Sequence, residues 1–407
     1  MGNDQRIVIV GASLTGAKAA EALLESGFEG EILMVGSESE RPYERPPLSK
    51  DYLRGEKTEV PYVHDADFYK NDQIELKTGA TVTAIDPDTN TITVDGSETV
   101  EYESLLIATG AEPRRLDLPG SDLEGINYLR TVGESKALCD QFRDGLKVVV
   151  VGAGWIGSEV AASARQEGCE VTLIEPEEVP LSRVLGPKLG AFYRGVHLKQ
   201  GVTFLGGTGV TGFTGDGKVE AVLTDGGDSI PAELVVVGVG VIPRTELAEA
   251  AGIDVDNGIL VDETFLSSSP GIYAAGDVAN AWHPFYGRRI RVEHWANARR
   301  QGAAAARSIL GLDPDFDEVP YFFSDQYDVG MEYVGYTDGS EEVVFRGDVE
   351  SGEFIAFWVK EGKVSAGMNV NVWDVSETIR DLIKAEFPVS QTDLTNPDVS
   401  LESLLPD

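Results

Sequence analysis

The stretch Lys147 to Glu175, KVVVVGAGWIGSEVAASARQEGCEVTLIE, decides the fold. Lys147 to Val151 is apolar after its first residue and reads as a buried parallel strand. Gly152-Ala153-Gly154-Trp155-Ile156-Gly157 follows and fits G-x-G-x-x-G. A helical segment, Ser158 to Glu167, and a second strand, Glu170 to Ile174, come next, and Glu175 stands about 20 residues past the glycines, where the dinucleotide fingerprint has its acid. Gly152 permits the tight turn, Gly154 lets backbone approach a pyrophosphate, and Gly157 lets helix pack on strand. The helix N-terminus offers free N–H groups and a positive dipole end to phosphates. Glu175 suits a ribose diol and repels a 2′-phosphate. The plainer alternative is a tight strand-to-helix turn without a ligand, but here strand, glycines, helix, strand and acid occur in order.

A second copy lies at the start of the chain. Arg6 to Val10 reads as a strand, Gly11-Ala12-Ser13-Leu14-Thr15-Gly16 as the turn, Ala17 to Ser26 as the helix, and Glu31 to Val35 as the next strand, followed by Ser37 and Glu38. Ser13 replaces the middle glycine. Its Cβ limits close approach, while its hydroxyl can itself bond a phosphate. Two dinucleotide units imply two dinucleotides, most economically a resident flavin and an exchanging nicotinamide.

Bulk properties narrow the field. A chain of 407 residues with 42% hydrophobic content supports two or three domains with real cores. The 33 basic against 69 acidic residues give a net charge of −36, which argues against nucleic acid as a partner. Such acidity fits a saline cytoplasm or simply an acidic proteome. The cysteines, Cys139 and Cys169, form no C-x-x-C, so neither a disulfide framework nor an internal redox disulfide is expected. No apolar run approaches the ~20 residues of a membrane span, and no signal peptide precedes the first strand. A reducing cytoplasm is the expected compartment, and no metal site is expected.

Between the two units, Arg41 to Lys50, RPYERPPLSK, reads as a loop stiffened by Pro42, Pro46 and Pro47, with Leu48-Ser49-Lys50 opening a helix. Lys50 is either a functional cation or a solvated charge at a helix start. Ala108-Thr109-Gly110 follows a strand, and the chain crosses to the second domain near Glu112. The turns Gly215-Asp216-Gly217 and Asp225-Gly226-Gly227 predict a β-meander returning to the sheet. Pro270 to Val278 reads as a short strand ending in Gly276-Asp277. Asp277 either accepts bonds from a ribityl chain or caps the next helix, and a helix is expected over Asn297 to Leu310. From Val319 the texture becomes aromatic and alternating, with strands to Asn369, a helix over Ser376 to Ala385 and a polar tail. The fold class is therefore α/β: two Rossmann-like dinucleotide-binding domains plus a small C-terminal α+β domain. The boundaries are 1–111 with 242–318, then 112–241, then 319–407.

The motifs VIVGASLTG (Val8 to Gly16), PYERPPLSK (Pro42 to Lys50), LLIATGAEPR (Leu105 to Arg114), VVVGAGWIGSEVA (Val149 to Ala161), YAAGDVA (Tyr273 to Ala279), RVEHWANA (Arg291 to Ala298) and FFSDQYD (Phe322 to Asp328) carry a resemblance along the whole chain. The chain resembles the FAD-dependent NADH:ferredoxin reductases of bacterial oxygenase systems, within the glutathione-reductase-like pyridine nucleotide-disulfide oxidoreductase superfamily. The resemblance implies non-covalent FAD held by Gly11, Ser13, Leu14, Thr15, Gly16, Arg45, Lys50, Val82, Ala108, Thr109, Gly110, Arg130, Gly276, Asp277, Val278 and Trp295. Ser37 or Glu38 takes the flavin ribose. It implies NADH held by Gly152, Gly154, Gly157, Glu159, Glu175, Arg183 and Gly240. The partner it implies is a small iron–sulfur ferredoxin, or a rubredoxin, and the assembly state a monomer or weak homodimer. Phe323 departs from the family, which has a Trp there.

A nicotinamide gives a hydride, two electrons at once, and an iron–sulfur protein takes one at a time; a flavin converts between them. Lys50 and Glu159 are the expected catalytic pair, meeting where flavin N5 and nicotinamide C4 come together. A disulfide reductase would need a cysteine near the flavin, and Arg41 to Lys50 contains none. A signalling flavoprotein resembling apoptosis-inducing factor is a further alternative. Gly287 to Gln301, GRRIRVEHWANARRQ, sets Arg288, Arg289, Arg291, Arg299 and Arg300 against one acid, Glu293. These arginines form a basic docking rim for the partner or pair with the protein's own carboxylates.

Overall fold

In the computed structural model, which describes residues 5–406, each glycine motif follows the central strand of a five-stranded parallel sheet. The chain divides into two compact units. The first comprises the chain up to Glu44, Pro61–Glu112 and Ile242–Phe322; the second comprises Arg45–Val60, Pro113–Val241 and the chain from Phe323 onward.

In the first unit the strands run in the order Ile272–Ala274, Ser104–Ile107, Arg6–Val10, Glu31–Gly36, Ile74–Thr78. Val8 sits opposite Leu33 on one side and Leu105 on the other. All three are buried, as expected for a parallel sheet covered on both faces. The helices Leu14–Glu25 and Trp295–Ile309 meet through small residues: a Cβ on Gly302 would lie 2.3 Å from the Thr15 carbonyl oxygen.

The second unit repeats the plan. Its strands run Ile126–Asn127, Leu234–Val237, Lys147–Val151, Glu170–Glu175, Thr203–Gly206, with Val149 opposite Thr172 and Val235. The expected meander forms a three-stranded antiparallel sheet of its own, Val210–Asp216, Lys218–Thr224 and Ser229–Pro231, before Leu234–Val237 returns to the parallel sheet. From Phe323 onward the same unit carries a five-stranded sheet ordered Tyr321–Gln326, Val329–Gly335, Lys363–Val370, Glu353–Lys360, Glu342–Asp348, whose first strand begins at the unit boundary. Helix Ser376–Ala385 covers it at Gly367, where a Cβ would lie 2.6 Å from Ile379.

Several local expectations change. Both motif helices start earlier than their apolar periodicity suggests, at Leu14 and Trp155, inside the glycine motifs. The first helical turn is part of the phosphate-facing loop and carries no amphipathic signal of its own. Lys50 does not open a helix. Pro46–Ser49 is a single 3₁₀ turn, and Lys50 closes it. The buried hydroxyls of Ser135 and Ser163 each donate to this turn, at the Leu48 and Ser49 carbonyl oxygens, both at 2.7 Å. They bind it into the second unit, although its sequence adjoins the first. Asp277 does not cap a helix, because a strand, Ala279–His283, follows it; the next helix begins at Trp295 with His294 as N-cap. The polar tail contains a short helix, Gln391–Thr395, held by the fully buried Leu394.

Candidate functional site

In the first unit, Gly11 has φ +123°, and a Cβ there would lie 2.1 Å from the Ala108 carbonyl oxygen. A Cβ on Gly16 would lie 2.2 Å from the Gly11 oxygen. These two glycines are required by packing. Ser13 is the N-cap of Leu14–Glu25, in extended conformation and without a side-chain capping bond. Leu14 and Thr15 form the first turn, and Gly276 (φ +81°) comes so close that a Cβ would lie 2.4 Å from Thr15 Oγ1. The Gly276 N–H donates to the buried Gln301 Oε1 at 2.9 Å. Asp277 and the buried Val278 continue this turn. Ala108, Thr109 and Gly110 follow the strand Ser104–Ile107, and Thr109 Oγ1 donates to the Arg244 carbonyl at 2.9 Å. Ser37 and Glu38 follow Glu31–Gly36, with the Tyr43 hydroxyl donating to Glu38. Val82 is buried at the start of its own strand.

Trp295 begins the long helix of this unit, and its indole N–H donates to Glu44. Burial raises the Glu44 carboxyl, with the Trp295 bond and Arg299 opposing it. His294, just before, is held neutral: burial pushes it down to about 4 against a weak pull from Asp277. Its Nδ1 is buried with no hydrogen-bond partner. An orphaned polar nitrogen beside a helix N-terminus suits the polar edge of a bound ligand. Together with the glycine turn, the residues of this unit fit a dinucleotide.

In the second unit, a Cβ on Gly152 would lie 2.4 Å from the Gly238 oxygen and one on Gly157 would lie 2.0 Å from the Gly152 oxygen. Gly154 is different: nothing lies within 4 Å of the position its Cβ would take. The chain has no packing reason for a glycine there, and the open space is what a pyrophosphate needs. Gly240 (φ +100°) also faces open space. Glu175 Oε2 accepts from the Ala153 N–H at 2.6 Å, which fixes the acid against the glycine turn. Arg183 is exposed and donates to Glu177 at 3.0 Å. These residues fit a second dinucleotide.

Glu159, two positions after Gly157, is the most unusual residue of this unit. Its side chain is 4% exposed and pairs with Lys50 Nζ at 2.8 Å. Oε2 also accepts from Ser49 Oγ, and Oε1 accepts from Ser324 Oγ at 2.6 Å. A buried carboxylate is tolerated only when paired and hydrogen-bonded, and this one is both. Lys50 additionally donates to the Pro46 carbonyl at 3.2 Å and lies 5.6 Å from the Phe323 ring centroid. Arg45 donates to the Arg130 carbonyl, and the Arg130 N–H is held by Glu134 at 2.9 Å.

The expected residues therefore fall into two groups. The first unit holds residues 11–16, Ser37, Glu38, Val82, Ala108 to Gly110, Gly276 to Val278 and Trp295; the second holds Arg45, Lys50, Arg130 and all the nicotinamide candidates. Sequence reasoning missed Ser49, Ser324, Glu44 and His294. All four lie inside motifs it singled out, but nothing in one dimension shows that Ser49 and Ser324 reach the same carboxylate. The arginine cluster is mixed. Arg291 pairs with Glu293 and Arg300 with Glu318, while Arg299 stacks on the Trp295 ring at 4.6 Å. Arg288 and Arg289 are exposed on the strand Arg288–Ile290.

Comparison with known proteins gives matching results. Residues 5–302 match the pyridine nucleotide-disulphide oxidoreductase family, and residues 321–405 match the reductase C-terminal family. The chain is 39% identical over 403 residues to the anthranilate 1,2-dioxygenase system ferredoxin–NAD(+) reductase component of Burkholderia cepacia, covering 98% of each. It is 36% identical to the putidaredoxin reductase of Pseudomonas putida, over 100% of this chain and 98% of that one. Among solved structures, the covalent putidaredoxin reductase–putidaredoxin complex superposes with a TM-score of 0.96 at 35% identity, covering 99% of this chain and 98% of that one.

Proposed function

The chain belongs to the pyridine nucleotide-disulphide oxidoreductase family and carries its reductase C-terminal domain, and from this we infer that it is a ferredoxin reductase of an oxygenase system. It takes electrons from NADH and passes them through FAD, one at a time, to a small iron–sulfur ferredoxin. The observation that carries this reading is the buried Lys50–Glu159 pair beside a complete dinucleotide turn. FAD, when bound, supplies the conversion of a two-electron donor into a one-electron donor. The protein's part is placement and charge. Gly154 and the helix start at Trp155 receive a pyrophosphate, Glu175 takes a ribose diol, and Lys50 supplies a fixed cation for the hydride step. The working division is a flavin part, 1–111 with 242–318, a nicotinamide part, 112–241, and a C-terminal part, 319–407.

The cysteines do not offer a competing chemistry. Burial raises both thiols, Cys139 and Cys169, so neither is an activated nucleophile. Two free thiols also agree with a cytoplasmic location. Among the described residues no helix is long and apolar enough to cross a membrane.

Function is tested with a panel of [2Fe–2S] and [3Fe–4S] ferredoxins and a rubredoxin, each followed by NADH-driven cytochrome c reduction. Fast turnover dependent on one iron–sulfur protein supports the reading and names the acceptor. Slow NADH oxidation with every member, and a long-lived charge-transfer complex, favours a signalling flavoprotein instead.

Two further outcomes follow from the same reading. FAD is bound without a covalent link, so acid precipitation releases all the yellow colour to the supernatant; colour kept on the pellet contradicts this. Arg288 and Arg289, exposed on the strand Arg288–Ile290, contribute positive charge to the docking rim. Reversing both to Glu raises KM for an acidic ferredoxin about tenfold and weakens its salt dependence, while ferricyanide reduction hardly changes. An unchanged salt slope moves the docking site elsewhere, to the segment from Phe322 to Tyr327.

A further inference from the structure

Glu159 receives more donors than an ion pair needs, and they come from separate parts of the second unit. Ser49 belongs to the 3₁₀ turn before Lys50, and Ser324 to the first strand of the C-terminal sheet. Both serines are 2% exposed and Glu159 is 3% exposed, so no bulk water competes for these bonds. Ser49 shares Oε2 with the Lys50 ammonium, and Ser324 alone holds Oε1. Each hydroxyl therefore points its one proton at the carboxylate and restrains its rotation about the last side-chain bond. Ser49 is in turn fixed by its own carbonyl, which accepts from the buried Ser163 hydroxyl at 2.7 Å.

We propose that Ser49 and Ser324 are positioning residues for the reaction, which lock the Glu159 carboxylate so that it engages Lys50 through one oxygen only and leaves the rest of the ammonium available to the cofactor. The inference rests on the reading of Lys50 and Glu159 as the working pair. A carboxylate released from the serines is free to turn both oxygens onto the ammonium, which neutralises the cation and draws it toward Glu159. The motif serine at position 324 thereby gives the C-terminal domain a direct hold on the nicotinamide unit's catalytic carboxylate. No bond is made or broken by either serine.

The test uses the FAD-loaded protein with Ser324→Ala, Ser49→Ala, Glu159→Ala and the Ser324→Ala/Glu159→Ala double variant. Removing one hydrogen bond to a buried charge corresponds to about a tenfold effect. Each serine variant is expected to slow flavin bleaching at saturating NADH about tenfold, while the NADH concentration for half-saturation stays within about twofold. The two-electron midpoint potential of the flavin falls with it, by about 30 mV for a tenfold loss of stabilisation. In the Glu159→Ala background, Ser324→Ala changes neither rate nor potential further, because the group it acts through is gone. A purely structural serine would instead add its effect in both backgrounds. Wild-type rate and potential in both serine variants, with Glu159→Ala slow, overturns the proposal alone. A wild-type rate in Glu159→Ala overturns the parent reading and the proposal with it. If Ser324→Ala fails to hold FAD, Ser49→Ala on the other oxygen decides by the same measurements.

Discussion

Glu159→Ala and Lys50→Ala each lower the rate of NADH-driven flavin bleaching on the order of a hundredfold, while FAD stays bound. The size follows from what the pair does. A fixed ammonium in a site closed to water stabilises negative charge as it develops, and removing one such group costs about 10²–10³ in rate. Lys50 is 13% exposed, and Glu159, Pro46 and the Phe323 ring define its surroundings. Deleting the carboxylate leaves the cation without its anchor; deleting the cation leaves a buried carboxylate uncompensated. The two losses share one mechanism, so the double variant is little slower than either single one. Stopped-flow absorbance under excess NADH measures the rate directly, and the protein-bound flavin spectrum before mixing verifies that FAD is retained. Wild-type rates in both single variants reduce the pair to a structural ion pair.

The second large effect is the choice of NADH over NADPH. Glu175 is fixed by the Ala153 N–H at 2.6 Å and the Glu177 N–H at 3.3 Å, so its carboxylate cannot swing far from the glycine turn. A 2′-phosphate placed at that turn meets this charge, and Arg183, a cation on the following helix, already pairs with Glu177. An unpaired like charge costs roughly 1–3 kcal/mol, which is about tenfold to a hundredfold in kcat/KM. Glu175→Ala removes most of that preference by improving use of NADPH. Equal kcat/KM for the two cofactors in the wild-type protein refutes this assignment.

The parallel units were legible because each packs its signals into about 30 consecutive residues: an apolar strand, a glycine turn, a helix and a second strand. Gly152 and Gly157 show why the pattern reads so well. Each is held to glycine by a backbone oxygen within van der Waals contact of any Cβ, whereas Gly154 is held by nothing in the chain itself. Helix starts were less legible, since Leu14 and Trp155 begin helices for the sake of the turn rather than of a buried face. The Lys50 segment was readable as stiff, but not as part of the second unit. That depends on the hydroxyls of Ser135 and Ser163, which lie on helices far along the sequence. Ser324 illustrates the same limit. Its motif was conspicuous, yet its bond to Glu159 spans 165 positions and has no periodic signature. The arginine cluster stayed ambiguous in sequence: charge counting gives five cations against one acid, while Glu318, outside that window, takes Arg300.

The most direct test of the central claim, that one chain turns a two-electron donor into a one-electron donor, is an anaerobic stoichiometry. The FAD-loaded protein is bleached with one equivalent of NADH and then titrated with oxidised ferredoxin. The account predicts full return of the flavin colour with two ferredoxins reduced per flavin. A flavin that stays bleached in the presence of excess ferredoxin, with no iron–sulfur reduction, contradicts it.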